Sequence, residues 1–199
     1  MIPNTSFLSI ISICMYALFT FTACDPDSVS PEPVIESPKI ALHYDAANQD
    51  APSLTGARTY EGAIRIPQSE LGDALNGTLT EVYFFIQELP ESASIKIYSG
   101  SDGNAPKTQL YSGVVSNNIQ ANAWNTHSLN RSVDIPDDDL WISFSFSHTL
   151  DQRTLGCDIG PANPNGDWLF DNVAGSWLKL SNVSAVNINW NIRAAVLPQ

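Results

Sequence analysis

The sequence predicts an all-β fold, an antiparallel two-sheet β-sandwich of jelly-roll-like wiring with one short helix. Three observations predict it. Apolar and polar residues alternate with period two in one segment after another, and these segments are short and divided by Gly, Pro, Asn and Asp clusters. Only Pro67–Leu71 carries the signals of a helix, with Pro67 near its start and Gly72 ending it.

The clearest pair of segments is Gly77–Gly100, where Val82, Phe84 and Ile86 share one side and Ala93, Ile95 and Ile97 repeat the pattern beyond a Glu-Leu-Pro-Glu-Ser turn. This reads as a hairpin with one apolar face, which needs a second layer to cover it. Before it, Ile40–Tyr44 and Ala63–Ile66 read as strands. After it, turn chemistry over Ser99–Lys107 leads into strands at Gln109–Ser116 and Trp124–Leu129. Leu140–His148 is the cleanest strand: Leu140, Ile142, Phe144 and Phe146 alternate with Trp141, Ser143, Ser145 and Ser147, so one face is core and the other wet. Thr149–Asp167 is a long Gly, Pro, Asn and Asp-rich connection, and loops of that length in compact domains are functional or disordered. Trp168–Phe170 and Trp177–Leu180 read as short strands, and Val186–Val196 as a last one, apolar enough to sit inside a sheet. Long crossing loops favour jelly-roll wiring, and the Cys, Trp, Cys spacing of immunoglobulin domains is absent.

The chain ahead of these strands divides in two. Residues 1–23 are almost wholly apolar from Phe7 to Phe21 and uncharged, with the shape of a signal peptide and too short for a comfortable membrane span. The ending Phe21-Thr22-Ala23-Cys24 resembles the lipobox of bacterial lipoproteins, with Phe21 where such boxes carry Leu and no Lys or Arg ahead of the apolar core. The resemblance implies cleavage after Ala23 and lipidation of Cys24, an anchor whose several acyl chains hold a bilayer firmly. Residues 24–38 follow as a tether in which four prolines and four acids leave little to bury, extended over about 40 Å. Acids directly behind the lipidated cysteine resemble the surface-export signal of some Gram-negative lipoproteins, and Asp27-Ser28-Val29 resembles an acceptor motif that would place O-glycosylation on Ser28. The expected location is the outer membrane, lipid-anchored at the cell surface.

Residues 39–199 are enough for one domain with its own core. The 21 acids and 9 bases all lie beyond the signal segment, so the net charge of −12 belongs to the exported part and argues against nucleic acid and anionic lipid as partners. With Cys14 removed and Cys24 acylated, Cys157 is the one thiol left and no disulfide forms within the mature chain.

The strand series GTLTEVYFFI, ASIKIYSG, AWNTHSL, DLWISFSFSH, GCDIGPA and NWNIRAAV is similar to the cleaved-adhesin or haemagglutinin-like jelly-roll modules attached to gingipain-like secreted proteases. That resemblance implies a binding or accessory module without a protease beside it.

Chemistry leaves few traces. His43, His127 and His148 show no metal-ligand spacing, and neither a Gly-x-Ser-x-Gly nor a His-Glu-x-x-His motif occurs. Calcium is the candidate cofactor, because loop carboxylates can tie down such a sandwich; the candidate ligands are Asp45, Asp50, Asp158, Asp167 and Asp171, while Asp137–Asp139 reads as a solvated turn. Trp190 alternates into the core and Trp124 reads as structural. Trp141, Trp168 and Trp177 either form a platform for a glycan or peptide ligand or cover the end of the sandwich. The function expected is non-catalytic binding of a glycan or protein ligand. The alternatives are a sandwich-type hydrolase using loop carboxylates, and a structural accessory subunit of an envelope complex.

Overall fold

A computed structural model describes residues 30–115 and 118–199. The signal segment, Ala23, Cys24 and Ser28 lie outside the described residues. Ten strands alternate along the chain: β1 (Ile40–Leu42), β2 (Arg58–Ile66), β3 (Thr78–Ile86), β4 (Ser92–Asp102), β5 (Ala105–Val114), β6 (Ala123–Asp134), β7 (Leu140–His148), β8 (Trp168–Asp171), β9 (Ser176–Lys179) and β10 (Ile192–Leu197). One four-residue helix, α1 (Leu180–Val183), follows β9. Among the described residues no helix is long and apolar enough to cross a membrane.

The strands form a four-stranded sheet in the order β1-β10-β3-β6 and a six-stranded sheet in the order β5-β4-β7-β2-β8-β9. Every pairing is antiparallel. With the β8–β9 ribbon set aside, the pairs nest: β4 with β5, β3 with β6, β2 with β7, β1 with β10. A ribbon folded at its middle and wound across two layers gives this wiring, the jelly roll. The β8–β9 ribbon extends the second sheet beyond β2.

The Gly77–Gly100 stretch alternates as its sequence predicts, but it is not a hairpin. β3 belongs to one sheet and β4 to the other, and the turn between them carries the chain across the core. Period two reports which side of a strand is apolar and says nothing of its partner. Here the two apolar faces meet across the sandwich, where the Phe84 ring of β3 stacks 4.7 Å from Phe144 of β7. Around them Val82, Ile86, Ile95, Ile97, Ile142, Leu155 and Trp190 complete one contiguous core.

Four further expectations change. Pro67–Leu71 is not one helix but a 3-10 turn, Gln68–Glu70, continued by a second, Gly72–Ala74, because Gly72 at φ 51° breaks the first without ending the coil. The strand expected over Trp177–Leu180 is β9, and its last expected residue, Leu180, instead opens the helix α1. β2 begins at Arg58 rather than Ala63, since Gly62 is an interior strand position: a Cβ there would meet Leu155 Cδ2 at 2.5 Å and the Trp190 ring at 3.4 Å. Val186–Asn191 does not pair as a strand. Its backbone bonds instead to the long connection, Trp190 N–H to the Gly166 carbonyl and Asn191 N–H to the Gly156 carbonyl, both at 2.9 Å, and its amides reach Asp158 from Asn189 at 2.9 Å and Asp45 from Asn191 at 2.7 Å. β10 proper does lie inside its sheet, between β1 and β3.

The long connection from Thr149 to Asp167 is pinned rather than loose. Single bridges join Gln152 to Leu54, Leu155 to Ile86, and Cys157 to both Asp50 and Trp190. It closes the end of the sandwich between the sheets.

Candidate functional site

The outer face of the six-stranded sheet is built by the odd positions of β7 and their cross-strand neighbours. Registers place Tyr98, Trp141 and Arg65 in one row across the strands, and Lys96, Ser143, Ala63, Trp168 and Lys179 in the next. A third row runs Val114, Ser94, Ser145, Glu61, Phe170, Trp177. The face is therefore hydroxyl-bearing over β4 and β7 and aromatic over β8 and β9.

At its centre is Glu61, whose side chain is only 5% exposed. Tyr98 donates to Oε1 at 2.7 Å and Ser143 Oγ to the same oxygen at 2.6 Å, while Lys96 Nζ lies 2.5 Å from Oε2. A buried carboxylate requires such partners, because desolvation otherwise exceeds the gain from any single contact. Burial, together with the Glu61 charge beside it, pushes the Tyr98 hydroxyl well above the ordinary tyrosine range, so it stays a donor. This cluster was missed in the sequence because Gly62 reads as a break and leaves Glu61 outside any strand. The signal that was present is the polar alternation of Lys96 and Tyr98 with Ile95 and Ile97.

The structure brings Trp141, Trp168 and Trp177 together. The Trp141 centroid lies 5.1 Å from Trp168 and 5.6 Å from Trp177. Trp141 was expected on the wet side of β7; it points outward yet is fully buried, and Trp168 is 1% exposed. The reason is their neighbours. Arg65 lies over Trp141 at 5.7 Å and Lys179 over Trp168 at 4.9 Å, with Tyr98 and Trp177 packed alongside. Trp177 is half-buried, as is Phe170 beside it at 5.5 Å, and these two rings are the aromatic surface the face presents. For the same reason Ser143 and Ser145 are buried beneath neighbouring side chains rather than wet. A depression of about 170 Å³ opens among Thr59, Ser92, Ser94, Val114 and Ser145. Another, about 300 Å³, opens between the edges of β5 and β6 against Val114, Ile119 and His127.

The five acids considered for calcium are not gathered at one place, and no group of three or more His, Cys, Asp or Glu among the described residues lies close enough to hold a metal ion. Each faces at least one donor instead. Asp45 takes Arg193 Nε at 3.0 Å and Nη2 at 2.9 Å; Asp50 pairs with Arg153, and Asp171 with Arg58 at 2.7 Å. Asp158 accepts backbone N–H groups of Ala46, Gly160 and Asn189 and the Asn189 amide. Asp167 Oδ2 accepts Ser181 N–H at 2.8 Å, while its buried Oδ1 has no hydrogen-bond partner. Carboxylates facing N–H donors present their lone pairs to hydrogens, whereas a calcium shell needs oxygens turned inward together.

Remaining nucleophiles and bases lie apart. Cys157 is buried, and burial pushes its thiol up to about 12, so it is protonated near neutral pH. His148 stacks on Tyr60 at 5.3 Å, His43 Nδ1 lies 3.0 Å from Asp45, and His127 Nε2 is 2.8 Å from the Tyr111 hydroxyl.

No family model matches the chain, and no curated protein is similar to it over its sequence. Two solved structures are similar in fold. One is the clostridial cysteine protease Cwp84 after propeptide cleavage, at TM-score 0.60 and 16% identity, covering 82% of this chain and 41% of that one. The other contains the cysteine protease and lectin-like domains of Cwp84, a surface layer associated protein of Clostridium difficile, at TM-score 0.51 and 16% identity, covering 71% and 33%. The chain thus spans less than half the length of either. The matching part is the lectin-like domain, and at this identity the likeness shows a shared β-sandwich fold.

Proposed function

We propose that the chain is a lipid-anchored lipoprotein of the outer membrane, displayed at the cell surface of a Gram-negative bacterium, whose sandwich is a non-catalytic binding module for a glycan or protein ligand. The observation that carries the binding half is the outer face of the six-stranded sheet. It bears half-buried Phe170 and Trp177 beside hydroxyl-bearing strands, held rigid by the Glu61 cluster, with no further layer of the described residues stacked upon it. Rigid aromatic surface edged by hydrogen-bonding groups is the usual chemistry of recognition sites. The pairing of Asp45, Asp50 and Asp171 with arginines and the protonated Cys157 favour gripping over reaction. The lectin-like domain of a surface layer associated protein supplies a fold precedent.

The anchoring half rests on the sequence ahead of the fold, the apolar run ending at Cys24 and the acidic tether after it. Protease added to intact cells tests it, with Cys24→Ser beside the wild type. The expected result is removal of the wild-type domain from the cell surface and release of the variant from the membrane fraction. A wild-type domain that is protected in intact cells, or a variant that remains membrane-bound, overturns it.

A further inference from the structure

We infer that the row crossing five adjacent strands at Ser94, Ser145, Glu61, Phe170 and Trp177 is a binding site for a neutral polysaccharide. This rests on the binding-module reading and names the ligand class and its place. The registers put all five residues in one line on one face, Ser94 opposite Ser145, Ser145 opposite Glu61, Glu61 opposite Phe170, and Phe170 opposite Trp177.

Neighbouring strands stand about 4.8 Å apart, so the row is a track roughly 20 Å long crossing the strands. Its chemistry changes along its length. The β4 end offers the partly exposed Ser94 hydroxyl, which both donates and accepts, and opens into the depression beside it, with Ser145 buried beneath. The β8 and β9 end offers two partly exposed rings 5.5 Å apart. A pyranose chain has matching parts, with C–H faces that lie against rings and hydroxyl rims that bond to Ser94. Peptide ligands fit less well, because the track lies across the face rather than along a free strand edge, where main-chain pairing would supply affinity.

Charge selects a neutral chain. Glu61 is matched by Lys96, so the site itself carries no excess positive charge, and the protein carries −12 overall. An anionic glycan would be repelled by the protein and meet no unpaired cation in the row. Glu61 itself is buried beneath Lys96 and Tyr98, so it fixes those two side chains under the track and leaves the ligand to the partly exposed Ser94 and the two rings.

Affinity electrophoresis of the full chain through a soluble β-glucan, a mannan and a xylan, with heparin as the anionic control, tests this. Retardation is expected by at least one neutral polymer and not by heparin. Phe170→Ala and Trp177→Ala should each weaken that binding by about tenfold, and Ser94→Val should weaken it as well, while Tyr83→Phe on the opposite sheet leaves it unchanged. Thermal unfolding of each variant separates lost contacts from lost folding. A second measurement needs no destabilising change: the neutral polymer should shift the tryptophan emission of the wild type, and Trp177→Phe should lose part of that shift. Retardation by heparin alone, or equal binding by all variants, overturns the inference. Capture of a protein with no neutral polymer bound overturns it too but leaves the binding module standing; capture of neither ligand removes both.

Discussion

Replacing Arg193 by Leu strands a carboxylate inside the protein. The Asp45 side chain is completely buried and Arg193 is 8% exposed, and the guanidinium reaches both carboxylate oxygens from Nε and one from Nη2. With Arg193 gone, Asp45 keeps the Asn191 amide at 2.7 Å and His43 at 3.0 Å, neither carrying the full compensating charge. Removing one partner of a buried pair costs about 3–5 kcal/mol, whereas a surface pair costs below about 1 kcal/mol. The Arg193→Leu chain also loses the guanidinium's stacking on Trp124 at 4.6 Å. For a domain of this size the change lowers the melting temperature by roughly 6–20 °C. Urea unfolding followed by tryptophan fluorescence reads it as a shift in midpoint at constant slope. The decisive variant is the pair Arg193→Leu with Asp45→Leu, which should recover much of the loss, since two apolar side chains replace two matched charges. A single-variant cost under about 1 kcal/mol, or a double variant as unstable as the sum of the singles, refutes the assignment of Asp45 as the buried end of an ion pair.

Three further outcomes follow from the same contacts. Phe144→Ala removes a fully buried ring that stacks on Phe84 at 4.7 Å and Phe146 at 5.6 Å, and should destabilise by about 3–5 kcal/mol in the same urea assay. Calcium or chelator should leave the thermal midpoint unmoved, because Asp45, Asp50, Asp158 and Asp171 already face donors and no group of three acids, His or Cys among the described residues converges around Asp167; a rise in millimolar calcium contradicts this. Acid should weaken the fold in two steps. Burial holds His127 below its ordinary 6.5, so the unfolded chain takes up that proton first and stability falls as pH drops through 6.5. The Lys39 hydrogen bond, then that of Tyr83, holds Glu81 below 4.5, so its contribution is present above 4.5 and lost as pH falls further. Melting curves of His127→Gln should lack the first step.

How much of this was legible in the sequence depends on which physical signal each part leaves. β7 was readable to the residue, because Leu140 through His148 alternates without a break and is closed by turn chemistry on both sides. The partner of β3 was not, since a hairpin and a corner between sheets impose the same alternation. Gly62 hid the first half of β2: glycine weakens a strand pattern, and its reason for being there is the Trp190 ring and Leu155 of distant segments. Without that strand, Glu61 had no face to belong to. The three tryptophans were found and are neighbours, but their covering by Arg65 and Lys179 depends on cross-strand register, which only the fold sets. The acids could be counted but not assigned, because a carboxylate satisfied by backbone N–H groups and one facing a cation look alike in a string of letters.

The measurement that bears most directly on the account is the fate of the ligand. The full chain is held at saturating concentration with whichever glycan or protein it captures, the ligand is recovered, and its mass is taken over hours. The account predicts reversible, saturable capture and a ligand returned at unchanged mass. Fragments accumulating in proportion to time, and vanishing in Glu61→Gln, contradict it.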